Sequence, residues 1–242
     1  TSYQYRNYET SSFHLFDDSK EWLQVDKCGH LYTSYWLTRH NYAIYRWTGM
    51  SKKKSLLFGS LSSIVYMSTI ELFDGFSKKW GASVYDIGAN ILGSLLFVTQ
   101  QSLWNEQKII YKYSFMPSKF ARSRPDELGR TIPEQMVKDY NALTFWLSFN
   151  VSSLTGTKAL PKWLCVSFGY GANELLSGFP LDDDYGAVFK RYRQYYFSLD
   201  IDFQKIKTRN KALNNVLSLL NMVKLPFPSF EFSEGVPRFA VP

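Results

Sequence analysis

Residues 195–203 read YYFSLDIDF, and the alternation in them decides what the second half of the chain is. Phe197, Leu199, Ile201 and Phe203 take one parity, Ser198, Asp200 and Asp202 the other. Successive side chains of a strand point to opposite faces, so this is a β-strand with one aromatic face and one polar face. Such a strand suits a half-exposed sheet or β structure that faces lipid. Three more runs read the same way: IIYKYSF at 109–115, FWLSFNV at 145–151 and WLCVSFGYG at 163–171. Three or four strands are too few to close a membrane barrel alone.

Towards the N-terminus the period changes from two to that of a helix. Residues 28–48 have no proline and place Leu31, Tyr35, Leu37, Tyr42 and Tyr45 at helical spacing, with Gly49 as terminator. Residues 55–70, SLLFGSLSSIVYMSTI, form an uncharged second helix opened by Ser51 and Lys52–Lys54. A third runs from about Ser83 to Gln107. Its centre, IGANILGSLLFVT, has small residues where another helix can come close. Neither uncharged run reaches about 20 apolar residues, so a buried bundle and a polar-seamed pair inside a membrane both stay open.

The predicted fold is therefore α+β. An arm at 1–25 leads into a three-helix unit at 26–108. A β-containing region at 109–242 follows, and the two halves are expected to pack together. MPSKFARSRPDELGRTIPE at 116–134 reads as a long loop. Residues 207–225 form an amphipathic helix, with Leu213, Val216, Leu217, Leu220 and Val223 opposite Asn214, Asn215, Ser218 and Asn221. Its basic entry suits a membrane interface; covering the sheet is the slightly preferred role.

Composition narrows the function. The chain has 242 residues, a net charge of +7 and 18% aromatic residues. That aromatic excess suits a membrane interface or a large protein interface. The basic charge suits anionic membrane, and no nucleic-acid motif accompanies it. Cys28 and Cys165 have no metal or disulfide spacing. Phe168-Gly169-Tyr170-Gly171 lacks the lysine of a phosphate loop. Asp182-Asp183-Asp184 lacks the spaced ligands of a calcium loop and reads as a solvated turn. No elbow motif supports Ser/His/Asp catalysis. The sequence opens on Thr1 without a lipobox, so a preceding segment is expected.

Polar groups recur at helical spacing in the first half. Asp26, Lys27 and His30 begin the first helix, Glu71 and Asp74 end the second, and Asp86 and Asn90 begin the third. Antiparallel packing would gather them into one seam. Buried carboxylates need hydrogen bonds, the Lys27 ammonium or a cation. A network that fixes helix register is the preferred reading. A divalent-cation or catalytic site is one alternative, and a ligand-headgroup pocket another.

The order DKxGH, ELFDGFS with WGAS, and DIGANILG resembles the YfiM-like family of periplasmic or outer-membrane lipoproteins. More remotely it is similar to VanZ-type membrane proteins, whose pattern matches Asp26, Lys27, His30, Glu71, Asp86, Asn90 and Gly93. Asp74 and WGAS fit the YfiM-like version better. The resemblance implies a Gram-negative protein on the periplasmic side of the outer membrane, and it implies no reaction. The leading expectation is a non-enzymatic subunit of an outer-membrane assembly or secretion complex, with membrane lipid and other subunits as partners. A metal-dependent enzyme on lipid or cell-wall intermediates comes second, with Asp26, Glu71 and Asp86 on the cation and His30 as acid–base. A small lipid- or ligand-binding module comes third.

Overall fold

The computed structural model describes residues 9–181 and 189–240. The Asp182–Asp184 turn thus lies outside the described residues. The chain divides into two compact units. One joins residues up to Lys20 with Lys27–Glu106, and the other joins Glu21–Asp26 with Gln107 onward.

Three long helices make the first unit: α1 (Val25–Trp47, from Lys27 on), α2 (Lys52–Asp74) and α3 (Val84–Leu103). None contains proline, and α2 and α3 begin at serine caps. Ser83 accepts the Asp86 N–H at 3.0 Å, satisfying a donor that the helix start would otherwise leave open. The arm is not free. Ser11 and His14 donate their N–H groups to Phe76 and Gly75 carbonyls at 2.8 and 2.9 Å, and Phe16 donates to Ala82 at 3.1 Å. Residues 9–20 are therefore pinned to the α2–α3 connection.

This unit is patterned backwards for a water-soluble bundle. Ser55, Ser63 and Glu71 of α2 are buried, as are Asp86, Asn90, Ser94 and Gln100 of α3. Outside stand Leu57, Phe58, Leu61, Val65, Leu92 and Leu95. The serines zip the helices together. Ser34 Oγ donates to the Asn90 carbonyl at 2.6 Å and lies 2.8 Å from Ser94 Oγ, while Thr38 donates to Ser94 at 2.9 Å. Contact this close requires Gly93: a Cβ there would sit 2.2 Å from the Leu31 carbonyl oxygen of α1.

The second unit is built on a six-stranded antiparallel sheet in simple sequence order. Its strands are β1 (Ile109–Phe115), β2 (Leu143–Asn150), β3 (Leu164–Asn173), β4 (Tyr192–Ile201), β5 (Ser229–Ser233) and β6 (Val236–Ala240). β1–β4 follow the expected runs within three residues. β5 and β6 are additions: two short strands around the Glu234-Gly235 turn, in a tail for which no strand was expected. The 116–134 loop holds two short helices, α4 (Pro125–Leu128) and α5 (Ile132–Lys138, running just past it), over a core of Phe120, Ala121, Leu128 and Leu176. A one-turn helix, α6 (Val151–Thr155), follows β2. Trp22, Leu23 and Gln24 adopt left-handed backbone. Trp22 N–H to the Gly178 carbonyl at 2.8 Å and Tyr170 OH on the Leu23 carbonyl hold that turn.

The sheet is strongly curled. Residues Met222–Lys224 pair beside β1 at Tyr113, yet Ser229, five residues later, already pairs beside β4. Five extended residues reach at most about 18 Å, whereas five flat-sheet strand spacings would need about 24 Å. Lys112 of β1 closes the same gap from inside, reaching Asp200 Oδ2 at 2.8 Å and the Ile201 carbonyl of β4 at 2.7 Å.

The concave side is polar and buried. Besides Lys112 and Asp200 it holds Ser148, which donates to Asp200 Oδ2 at 2.6 Å and lies 2.7 Å from Ser167. Asn221 donates to Asp202 at 2.7 Å. Trp146 fills the middle, accommodated by Gly169 opposite, where a Cβ would meet the indole at 2.7 Å. That is the role of the first glycine in GYG. Lys224 lies over the Trp146 ring, 4.4 Å from its centroid. Burial, partly offset by Asp200, lowers the Lys224 pKa to about 8.

The helix expected at 207–225 is shorter: α7 spans Lys211–Leu220. Its role differs from a sheet cover. Asn214 and Ser218 turn inward to Thr208 and Gln204, and Asn221 just beyond them binds Phe203 N–H at 2.8 Å. Leu213, Val216, Leu219 and Leu220 face outward.

Candidate functional site

The polar seam of the helical unit gathers five of the residues its spacing singles out: Lys27, His30, Glu71, Asp86 and Asn90. α1 supplies Lys27 and His30 one turn apart. Glu71 comes from the last turn of α2, and Asp86 and Asn90 from the first turns of α3. A carboxylate in the first turn of α3 also faces the positive end of that helix dipole.

Lys27 is the hub. Its ammonium donates to Asp18 Oδ2 and lies 2.8 Å from Asp86 Oδ1. Ser83 Oγ donates to Asp18 Oδ1 at 2.6 Å while capping α3, so one hydroxyl ties the arm to the helix start. Burial opposes ionisation of Asp18, but its interactions with Asp86, Lys27 and Ser83 outweigh this and hold its pKa below the ordinary value.

His30 sits between the other groups. Its Nδ1 lies 3.3 Å from Asn90 Oδ1 and 3.6 Å from Glu71 Oε1, and its Nε2 lies 3.7 Å from Asp86 Oδ2. The Ser83 N–H approaches Glu71 Oε2 at 3.4 Å. Glu71 Oε1 and Asn90 Nδ2 are buried and make no hydrogen bond among the described residues.

The two remaining candidates behave differently. Asp74, half-buried at the end of α2, accepts the Ser77 N–H through its carbonyl at 3.0 Å. Asp26 is buried and groups with the sheet-bearing unit, so it is not counted among the seam's members. Asp18, Ser34, Ser63 and Ser94 belong to the seam although the motif reading passed over them. The serines were foreshadowed by their small size in uncharged helices. Nothing local marks Asp18, whose role arises only when the arm folds back.

Chemically the seam can do two things. His30, Glu71 and Asp86 each offer a ligand atom, all within 4.8 Å of one another. One nitrogen and two carboxylate oxygens suit a divalent transition ion. Bonds of about 2.1 Å would need the ligands about 3 to 3.5 Å apart, a tighter set than the one present, and Asp86 already has the Lys27 ammonium. As it stands, the arrangement locks the ends of three helices and the arm into one register.

Cys165 is buried in β3 and Cys28 half-buried in α1, and the two form no disulfide with one another.

No curated protein and no solved structure matches the chain. Residues 14–101 match the model of a family described as a predicted periplasmic lipoprotein (DUF2279). That span covers just over a third of the chain. It contains all three long helices to within two residues and the whole seam from Asp18 to Ser94. The match supports a place in the periplasmic envelope and the lipoprotein side of the expected resemblance, and it does not extend to the YfiM or VanZ names.

Proposed function

We propose that the chain is a non-enzymatic protein of the cell envelope. It is seated at the outer membrane on the periplasmic side, as a subunit of a larger assembly or secretion complex. The observation that carries this reading is the helical unit's distribution of side chains: serines, Asn90 and carboxylates are buried beside Tyr35, Leu56, Met67 and Phe97, while many leucines, phenylalanines and valines stand outside. A soluble bundle turns its apolar stripe inward, and soluble monomers rarely expose large contiguous apolar patches. α2, at 23 residues, is long and apolar enough to cross a membrane, and only 28% of its apolar window is buried inside the protein. Apolar surface of this extent needs lipid or protein to cover it. The similarity to periplasmic lipoproteins supports the compartment.

The seam favours a structural role, because the Lys27 ammonium is shared by two carboxylates and the Ser83 hydroxyl is occupied in capping. A metal-dependent enzyme acting on lipid or cell-wall intermediates is the second reading, favoured by the His30–Glu71–Asp86 grouping.

Affinity purification from detergent-solubilised outer membrane, with mass spectrometry of what co-purifies, tests the first reading. Outer-membrane proteins in stoichiometric amounts are expected. A monomer recovered from the soluble periplasm would overturn it. Stoichiometric bound metal, with loss of complementation by His30→Ala and Asp86→Asn variants that still fold, would move the assignment to the second.

A further inference from the structure

The sheet carries an inversion of its own, independent of the helices. Strand register places Tyr111, Leu147, Phe168, Phe197, Phe230 and Phe239 directly opposite one another in a single row across all six strands. Phe168 and Phe197 have ring centroids 5.3 Å apart, and Phe230 and Phe239 4.5 Å. The neighbouring row towards Arg193 holds Tyr113, Phe145, Tyr170, Tyr195 and Phe232. Over β3–β6 this convex face is open, with Phe168 54% and Phe239 77% exposed. The opposite face buries Lys112, Ser148, Ser167, Gln194, Asp200 and Glu231 around Ile110, Trp146 and Tyr196, far more polar than the interior of a soluble sheet.

Apolar-out, polar-in alternation on an antiparallel meander is how β structure meets hydrocarbon. β3 and β4, at 10 residues each, have the length of a strand that crosses a bilayer. Tyr195, 52% exposed, lies one row from Phe168 and Phe197 on the side of Arg193, where an amphipathic ring would meet headgroups. α7 repeats the inversion in part, with Leu213, Val216, Leu219 and Leu220 outward and Asn214 and Ser218 hydrogen-bonded inward to Thr208 and Gln204. Lys205, Lys207, Arg209 and Lys211 sit at its entry. That charge complements anionic phospholipid, as an interfacial helix requires.

We infer that this unit is seated in a phospholipid bilayer, with the convex aromatic rows of β3–β6 against the acyl chains and α7 in an anionic headgroup layer. This rests on the membrane seating proposed above and names the surface and the lipid chemistry that achieve it. A protein partner is the competing occupant. The aromatic face continues without a polar break across the rows, and four basic residues, Lys205, Lys207, Arg209 and Lys211, crowd one helix entry. Both features fit a fluid apolar layer under anionic headgroups better than a single docked protein.

The test uses the full chain with Cys28→Ser and Cys165→Ala, reconstituted in phosphatidylcholine vesicles with or without a quarter phosphatidylglycerol. Single cysteines replacing Phe168, Phe197, Phe230 and, in the helical unit, Leu61 carry nitroxide labels. Labels on the sheet are expected to be accessible to oxygen and shielded from a water-soluble nickel chelate. Shielding from both reagents would mean a second copy or a partner covers the face, and free access to the chelate would mean water does; either overturns the inference. If Leu61 alone reports lipid, the membrane seating stands and the sheet assignment falls. If no site does, both fall. Replacing Lys207, Arg209 and Lys211 by Gln should weaken vesicle binding by at least about tenfold with phosphatidylglycerol and leave neutral vesicles unaffected. Equal loss on both would remove the headgroup role of α7.

Discussion

Replacing Lys27 by Met tests whether the seam is a lock closed by its own ammonium. The side chain is close in length, so the cavity is small, but the cation is lost. Asp18 and Asp86, 3% and 7% exposed, would then face each other without the group that bridges them. Removing one partner of a buried ion pair costs about 3 to 5 kcal/mol, chiefly because an uncompensated charge stays buried. Ser83 keeps one hydrogen bond to Asp18 and Asp86 keeps the helix dipole, which points to the lower part of that range. At about 2 to 4 °C per kcal/mol for a chain this size, unfolding should shift down by roughly 6 to 12 °C. Thermal unfolding by circular dichroism in one detergent, native against variant, reads this directly. Adding Asp18→Asn to the variant should recover part of the loss, because one unpaired charge is removed. A Lys27→Met protein as stable as the native one would refute the reasoning. If a chelator then destabilised that variant, a bound cation would be balancing the carboxylates instead.

Three further outcomes follow from other contacts. Gly93→Val should abolish native helix packing or cost several kcal/mol, since even its Cβ falls 2.2 Å from the Leu31 carbonyl oxygen; protease resistance of the helical unit reports it, and native-like resistance would contradict the close approach. Asp200→Leu should destabilise the sheet unit by about 3 to 5 kcal/mol by stranding the fully buried Lys112, and Asp200→Leu with Lys112→Met should restore most of it; denaturant midpoints of the single and double variants decide. Lys224 has a folded pKa of about 8, below its ordinary 10.5. The unfolded chain therefore binds the extra proton between these values, and stability should rise with pH across that window, by up to about 3 kcal/mol. Lys224→Met should remove that rise, and an unchanged pH slope in the variant would show that Lys224 is not its source.

Local chemistry made much of this protein readable. YYFSLDIDF announces its strand because a polar–aromatic alternation of period two fits nothing else so well, and β4 runs through it to Ile201. The three long helices follow from proline-free runs and serine starts, and the spacing of Lys27 with His30 and of Asp86 with Asn90 foretells shared faces. Other features gave weaker signals. Phe230 and Phe232 alternate as strand residues do, but over a run of only five residues. α7 has the expected two faces, and amphipathicity is blind to which face meets the protein.

The chain's own order of residues determined the helices, most of the strands and which groups share a helix face, since those depend on backbone sterics and short-range periodicity. Tertiary structure alone decided which face is inside. A period of two or 3.6 separates polar from apolar side chains without assigning either to the interior. The assignment comes from closure. Asp18 folds back nine residues onto Lys27, Lys112 of β1 reaches past two intervening strands to Asp200 of β4, and Lys224 passes over Trp146 because five residues are too short to go round a flat sheet. Those contacts draw the charged groups inward, and the aromatic rows are left outside.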